Sequence, residues 1–84
     1  MTNPKVPTLR EFLDERSFPN EAAAVLTGLD QSAISRIANG RRRARPATIV
    51  RLARGLGVSA RRMQLMCEAS WANAHASGVD EVQR

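Results

Sequence analysis

The sequence predicts an all-α fold, a compact bundle of five short helices. Glycines at 28, 40 and 57 each close a segment whose apolar residues recur at helical spacing. No segment alternates apolar and polar residues in the manner of a half-buried strand. The connections between segments are short, which favours one compact body over separate pieces. With 84 residues there is room for a single domain, and a chain of this size buries roughly 60–65 % of its unfolded surface. Phe12, Phe18 and Trp71 are its only aromatic residues, so packing rests on Leu, Ile, Val, Ala and Met.

Residues 1–7 carry Pro4 and Pro7 and read as a flexible arm. Thr8-Leu9-Arg10-Glu11 fits a capping box, in which the Thr8 hydroxyl meets the Glu11 amide and the Glu11 carboxylate reaches back. The short helix it opens has Leu9, Phe12 and Leu13 on one face and ends at Ser17-Phe18-Pro19-Asn20. Glu21 to Leu26, rich in alanine, is strong helix material stopped by Gly28. Asp30 can cap a third helix from Gln31 to about Asn39, with Ala33, Ile34 and Ile37 inward.

Pro46 suits the first turn of a fourth helix, whose inward stripe is Ile49, Leu52, Ala53 and Leu56. Gly57 ends it. Ser59 then caps a fifth helix from Ala60 to about His75, with Met63, Met66, Cys67, Ser70 and Trp71 on one side. Residues 77–84 read as a flexible tail, leaving a folded domain over 8–76. Trp71 either caps the core of the monomer or sits in a dimer interface, where tryptophan is enriched.

The net charge of +5 conceals an asymmetry. Between Gln31 and Cys67 stand nine arginines and no Asp or Glu, whereas the rest of the chain has four basic and eight acidic residues. A field of one sign suits a polyanion: DNA, RNA or an anionic membrane surface. Arginine supplies twelve of the thirteen basic residues, and its planar fork grips a phosphate or a guanine with two hydrogen bonds, which lysine cannot do.

Other function classes find little support. No stretch approaches the ~18 apolar residues of a membrane span. The opening MTNPKVPTLREF lacks an apolar signal core, so a cytoplasmic location is expected. The single cysteine, Cys67, can make neither an internal disulfide nor a metal site of its own, and reads as a small buried residue. His75 has no partner for catalysis or metal binding. No nucleophile–base pair or metal cluster can be assembled, so no catalytic residue, metal or cofactor is expected.

The informative stretch is Ala24-Val25-Leu26-Thr27-Gly28-Leu29-Asp30-Gln31-Ser32-Ala33-Ile34-Ser35-Arg36-Ile37. A small residue within a helix, a glycine in the turn, an apolar residue after it and a capped second helix are what two steeply crossing helices require. Ala24 is expected at the close approach, Gly28 at the bend and Leu29 as the plug beneath it. Gln31, Ser32, Ser35 and Arg36 are left facing outward, and side chains of these types hydrogen-bond base edges in the major groove.

This string resembles the phage-repressor/Cro-type (XRE-like) helix-turn-helix family, and the resemblance runs from residue 9 to about 66. Beyond the stretch just quoted it rests on Asn39-Gly40 and on Leu52-Ala53 through Leu56-Gly57-Val58-Ser59. It implies a lambda-repressor-like five-helix fold, with the helix after the turn in the major groove and its N-terminal residues on the bases. Gln31, Ser32, Ser35 and Arg36 are then the base-reading candidates. Gln31 suits adenine and Arg36 guanine, with phosphate contact the alternative for Arg36.

Asn20 matches a position that holds DNA phosphate in the family. Pro19, however, stands where a Ser or Thr cap is usual, so Asn20 either caps the helix or meets the phosphate. Arg41, Arg42, Arg43 and Arg45 fall in the loop that the resemblance implies lies against the DNA backbone. The expected function is a sequence-specific double-stranded DNA-binding transcriptional regulator, a Cro-like repressor bound to its operator as a homodimer. The alternative is an antitoxin that represses its own operon and binds a toxin through residues 68–84.

Overall fold

The structure, a computed structural model, describes the backbone of residues 6–82 and the side chains of residues 6–76. It holds five helices, α1 (Leu9–Glu15), α2 (Asn20–Thr27), α3 (Gln31–Ala38), α4 (Pro46–Leu56) and α5 (Ala60–Val82). No strand occurs among the described residues.

Local chemistry sets most of the boundaries. At the start of α1 the Glu11 amide donates to Thr8 Oγ1 at 3.1 Å, and the Thr8 amide donates to Glu11 Oε1 at 3.0 Å, completing the capping box. Ser59 caps α5 in the same sense, its Oγ accepting from the Arg62 amide at 3.1 Å. Gly28 and Gly57 close α2 and α4 in the left-handed conformation, with φ of 76° and 77°. Pro46 opens α4.

The turn between α2 and α3 is bonded differently from expectation. Asp30 holds the cap position of α3, but its side chain makes no capping hydrogen bond. Thr27 supplies the turn's side-chain bonds instead. Its hydroxyl donates to the Ala23 carbonyl at 2.7 Å and accepts from the Leu29 amide at 3.3 Å. Ala23 is the fully buried alanine of α2, while Ala24 and Leu29 are half-buried against the core.

Leu9, Leu13, Ile34, Leu52, Met63 and Met66 are the largest fully buried side chains, one or two from each of four helices. Around them α5 packs on α4, α1 and α3, and α2 packs on α4 and α3. The α2–α4 crossing is close because Gly55 has no side chain. A Cβ there would stand 2.6 Å from the Leu26 carbonyl oxygen and 2.7 Å from Thr27 Cγ2.

The two ends differ from the sequence reading. Val6, inside the expected arm, is half-buried against the core, while residues 1–5 lie outside the described residues. The last helix runs to Val82 rather than ending near His75. Ala74 and Ala76 favour helix and no proline interrupts residues 75–82. At 23 residues it is about 34 Å long. The expected tail over 77–84 thus begins as helical backbone, and its last two residues lie outside the described ones.

Candidate nucleic-acid interface

Helix α3 has two unlike faces because its apolar residues recur three and four apart. Ile34, Ile37 and Ala38 are buried, and this fixes the rotation of the helix. Gln31, Ser32 and Arg36 are consequently exposed. Ser35 is half-buried, and its Oγ accepts from Asn39 Nδ2 at 3.3 Å. Among the described residues three of the four expected base readers thus make no side-chain hydrogen bond, while the fourth shares its hydroxyl with the end of its own helix.

The C-terminus of α3 is fixed by main-chain bonds. The Gly40 amide donates to the Ile37 carbonyl at 3.1 Å and the Arg41 amide to the Arg36 carbonyl at 2.8 Å, the paired pattern of a left-handed glycine stop. Gly40 has φ of 77° and lies against α5, where a Cβ would collide with the Ser70 carbonyl and the Ala74 methyl. The loop that follows therefore leaves α3 in one direction.

That loop runs beside α3. A groove of about 180 Å³ is lined by Leu29, Ala33 and Ile37 on one side and by Arg42, Arg43, Arg45 and Thr48 on the other. Arg41, Arg42, Arg43 and Arg45 are all exposed. They are not equivalent, because the Arg43 guanidinium lies 4.9 Å from the centre of the Trp71 ring. On α5, Trp71 is half-buried and stacks on His75, with ring centres 3.6 Å apart and an interplanar angle of 27°. His75 Nδ1 lies 2.8 Å from the Trp71 carbonyl oxygen.

Asn20 is the first residue of α2 and does not cap it. Pro19 holds the cap position without a side-chain bond, and Asn20 Oδ1 faces Arg10 Nη2 at 3.5 Å. Arg10 is itself paired with Asp14 at 3.3 Å. The Asn20 side chain thus turns its acceptor toward α1. Its two N–H donors make no hydrogen bond within the protein among the described residues.

Two features of this surface escaped the sequence reading. One is Arg51, whose guanidinium Nη1 lies 3.9 Å from where a Cβ on Gly28 would stand. The link between Trp71 and the arginine loop was also missed, since residues 28 apart in sequence carry no local signal of contact. Neither feature is expressed in helical periodicity.

Among the described residues no group of three His, Cys, Asp or Glu side chains could hold a metal ion. No helix there is long and apolar enough to cross a membrane. Cys67 is buried, and desolvation first, with the Glu68 carboxylate second, pushes its thiol up to about 12.

Comparison with known proteins found no match among curated proteins or solved structures. A family model described as helix-turn-helix matches residues 9–62, which takes in α1 to α4 and the start of α5. With more than half of the chain matched, and with α2, its glycine turn and α3 arranged as that motif requires, the chain belongs to the XRE-like helix-turn-helix family of DNA-binding domains.

Proposed function

We propose that this protein is a sequence-specific double-stranded DNA-binding transcriptional regulator, a Cro-like repressor that acts by occupying its operator as a homodimer. Helix α3 would enter the major groove, with Gln31, Ser32 and Arg36 on base edges and Ser35 beside them. Arg41, Arg42 and Arg45 would hold backbone phosphates, joined by Asn20 at the start of α2. Arg43 differs, since its guanidinium already rests on Trp71. A cytoplasmic location goes with this reading.

One observation carries it. The exposed polar face of α3 lies alongside an arginine loop, and no Asp or Glu occurs from Gln31 to Cys67. Hydrogen-bonding side chains that can tell base pairs apart are thereby set next to charge that attracts any duplex. Phosphate contacts of this kind position a protein, and base contacts specify the site.

Selection of bound sequences from a random duplex pool tests the reading. The expected result is an enriched pseudo-palindrome with half-sites about one helical turn, roughly 34 Å, apart. A pool that emerges as random as it entered would end the claim of sequence specificity. A single enriched half-site without symmetry would end the claim of a dimer.

A further inference from the structure

The arginine loop is held from behind by a part of the chain that the family match does not reach. The match ends at residue 62, and Ser70, Trp71 and Ala74 lie two to three turns further along α5. Gly40 is pressed against Ser70 and Ala74 where the loop begins. Arg43 covers the Trp71 ring in its middle, and Ala44 is half-buried against the core near its end. Arg41 and Arg42, between the first two of these fixed points, and Arg45, just after the last, remain exposed.

Arg43 makes no ion pair among the described residues, although Glu68 on α5 lines the same cavity as Arg43 and Trp71. The ion pair among the described residues joins Arg10 and Asp14, and Arg43 is held by the face of an aromatic ring. A guanidinium so placed is attracted by the ring quadrupole. Holding it there also orders the loop in advance, so that phosphate contacts by its neighbours have less freedom to remove at the moment of binding.

We propose that Trp71 is a positioning residue for DNA binding: it engages Arg43 and so holds Arg41, Arg42 and Arg45 in place beside α3. Arg43 then serves as the loop's anchor and not as one of its phosphate contacts. This rests on the DNA-binding reading given above and assigns a role there to the middle of α5. The stack on His75 extends the platform, since the two rings support each other at 3.6 Å between centres.

The test is titration of the protein with a short DNA duplex of mixed sequence over a range of salt concentrations. An anchor and a phosphate contact differ in one measurable respect. Removing a phosphate contact lowers the salt dependence, by about 0.9 in the log–log slope for each phosphate no longer neutralised. Removing an anchor weakens binding and leaves that slope where it was.

Arg42→Gln is therefore expected to reduce the slope. Arg43→Gln is expected to weaken binding by about two- to five-fold at an unchanged slope, the range that an exposed cation–π contact supports. Trp71→Leu should give a similar loss, the double variant no more than either single one, and Trp71→Phe should retain most of the affinity. In the free protein, the emission of Trp71, the only tryptophan, should shift on Arg43→Gln, a readout that does not require Trp71→Leu to fold.

A reduced slope for Arg43→Gln, losses that multiply in the double variant, or unchanged Trp71 emission would each overturn the proposal. A wild-type chain that bound no duplex even at low salt would remove the DNA reading itself, whereas binding with the wrong pattern among variants removes only the anchor.

Discussion

The amide of Leu9 donates to the Ser70 hydroxyl oxygen at 2.9 Å inside the protein, joining residues 61 apart in sequence. It satisfies a first-turn N–H of α1 that no carbonyl of its own helix can reach. Ser70→Ala would leave that donor buried without a partner, at a cost of about 1–3 kcal/mol. Urea denaturation should show the loss as a lower midpoint with the same m-value. A stability within a few tenths of wild type would mean that the amide finds another acceptor.

Gly55→Ala should destabilise the fold although alanine is the better helix former. The added methyl would meet the Leu26 carbonyl at 2.6 Å, so α2 and α4 would have to separate. Overpacking of this kind costs about 1–3 kcal/mol, against the roughly 1 kcal/mol that Gly to Ala contributes inside an open helix. A thermal melt that moved upward would show that the crossing yields easily.

Arg36→Lys separates base reading from phosphate holding at a position where charge is kept. A lysine cannot reproduce the two-bond fork on guanine. If Arg36 reads a base, the variant should lose about 1–3 kcal/mol of discrimination at one base pair of the selected site, while binding to unrelated duplex barely changes. Affinities for a series of single-base-pair substitutions would show this. Uniform behaviour across that series would assign Arg36 to the backbone.

Stability should fall with rising pH above about 9, and Cys67 should account for it. Its thiol moves from 9.0 to about 12 in the folded protein, by burial and secondarily by Glu68. Below pH 9 both states keep the proton, so there is no effect. Between 9 and 12 the unfolded chain releases it first, which favours unfolding. The chain has no tyrosine and one lysine, Lys5, to mask the effect. Chemical denaturation of Cys67→Ala across this window should give a flatter profile, and an equally steep one would point to another group.

Much of this architecture is local and therefore legible in the sequence. The Thr8–Glu11 box, the stops at Gly28 and Gly57, the stripe on α4 and the outward face of α3 each depend on residues within a few positions of one another. What escaped the reading depends on partners brought together by folding. Gly55 looks like an unfavourable helix residue until α2 lies across it. Arg43 is indistinguishable from Arg42 in sequence, and only the position of Trp71 separates them. The base-reading candidates follow from periodicity, because burying Ile34 and Ile37 leaves Gln31, Ser32 and Arg36 no other side to face.

The helices do not begin alike. Helices α1 and α5 start under the side-chain oxygens of Thr8 and Ser59, whereas α2, α3 and α4 start at Pro19, Asp30 and Arg45 with no side chain on their first-turn amides. The three helices surrounding the motif turn and the arginine loop thus begin without a side-chain cap, α4 with a proline that has no N–H to cap, and the two that flank them in the chain are capped. Serine at Pro19 or Arg45 would make a hardier domain by about 1 kcal/mol at each site. It would also occupy first-turn N–H groups that are now without a side-chain partner, so resistance to heat would be gained at the loss of open donors.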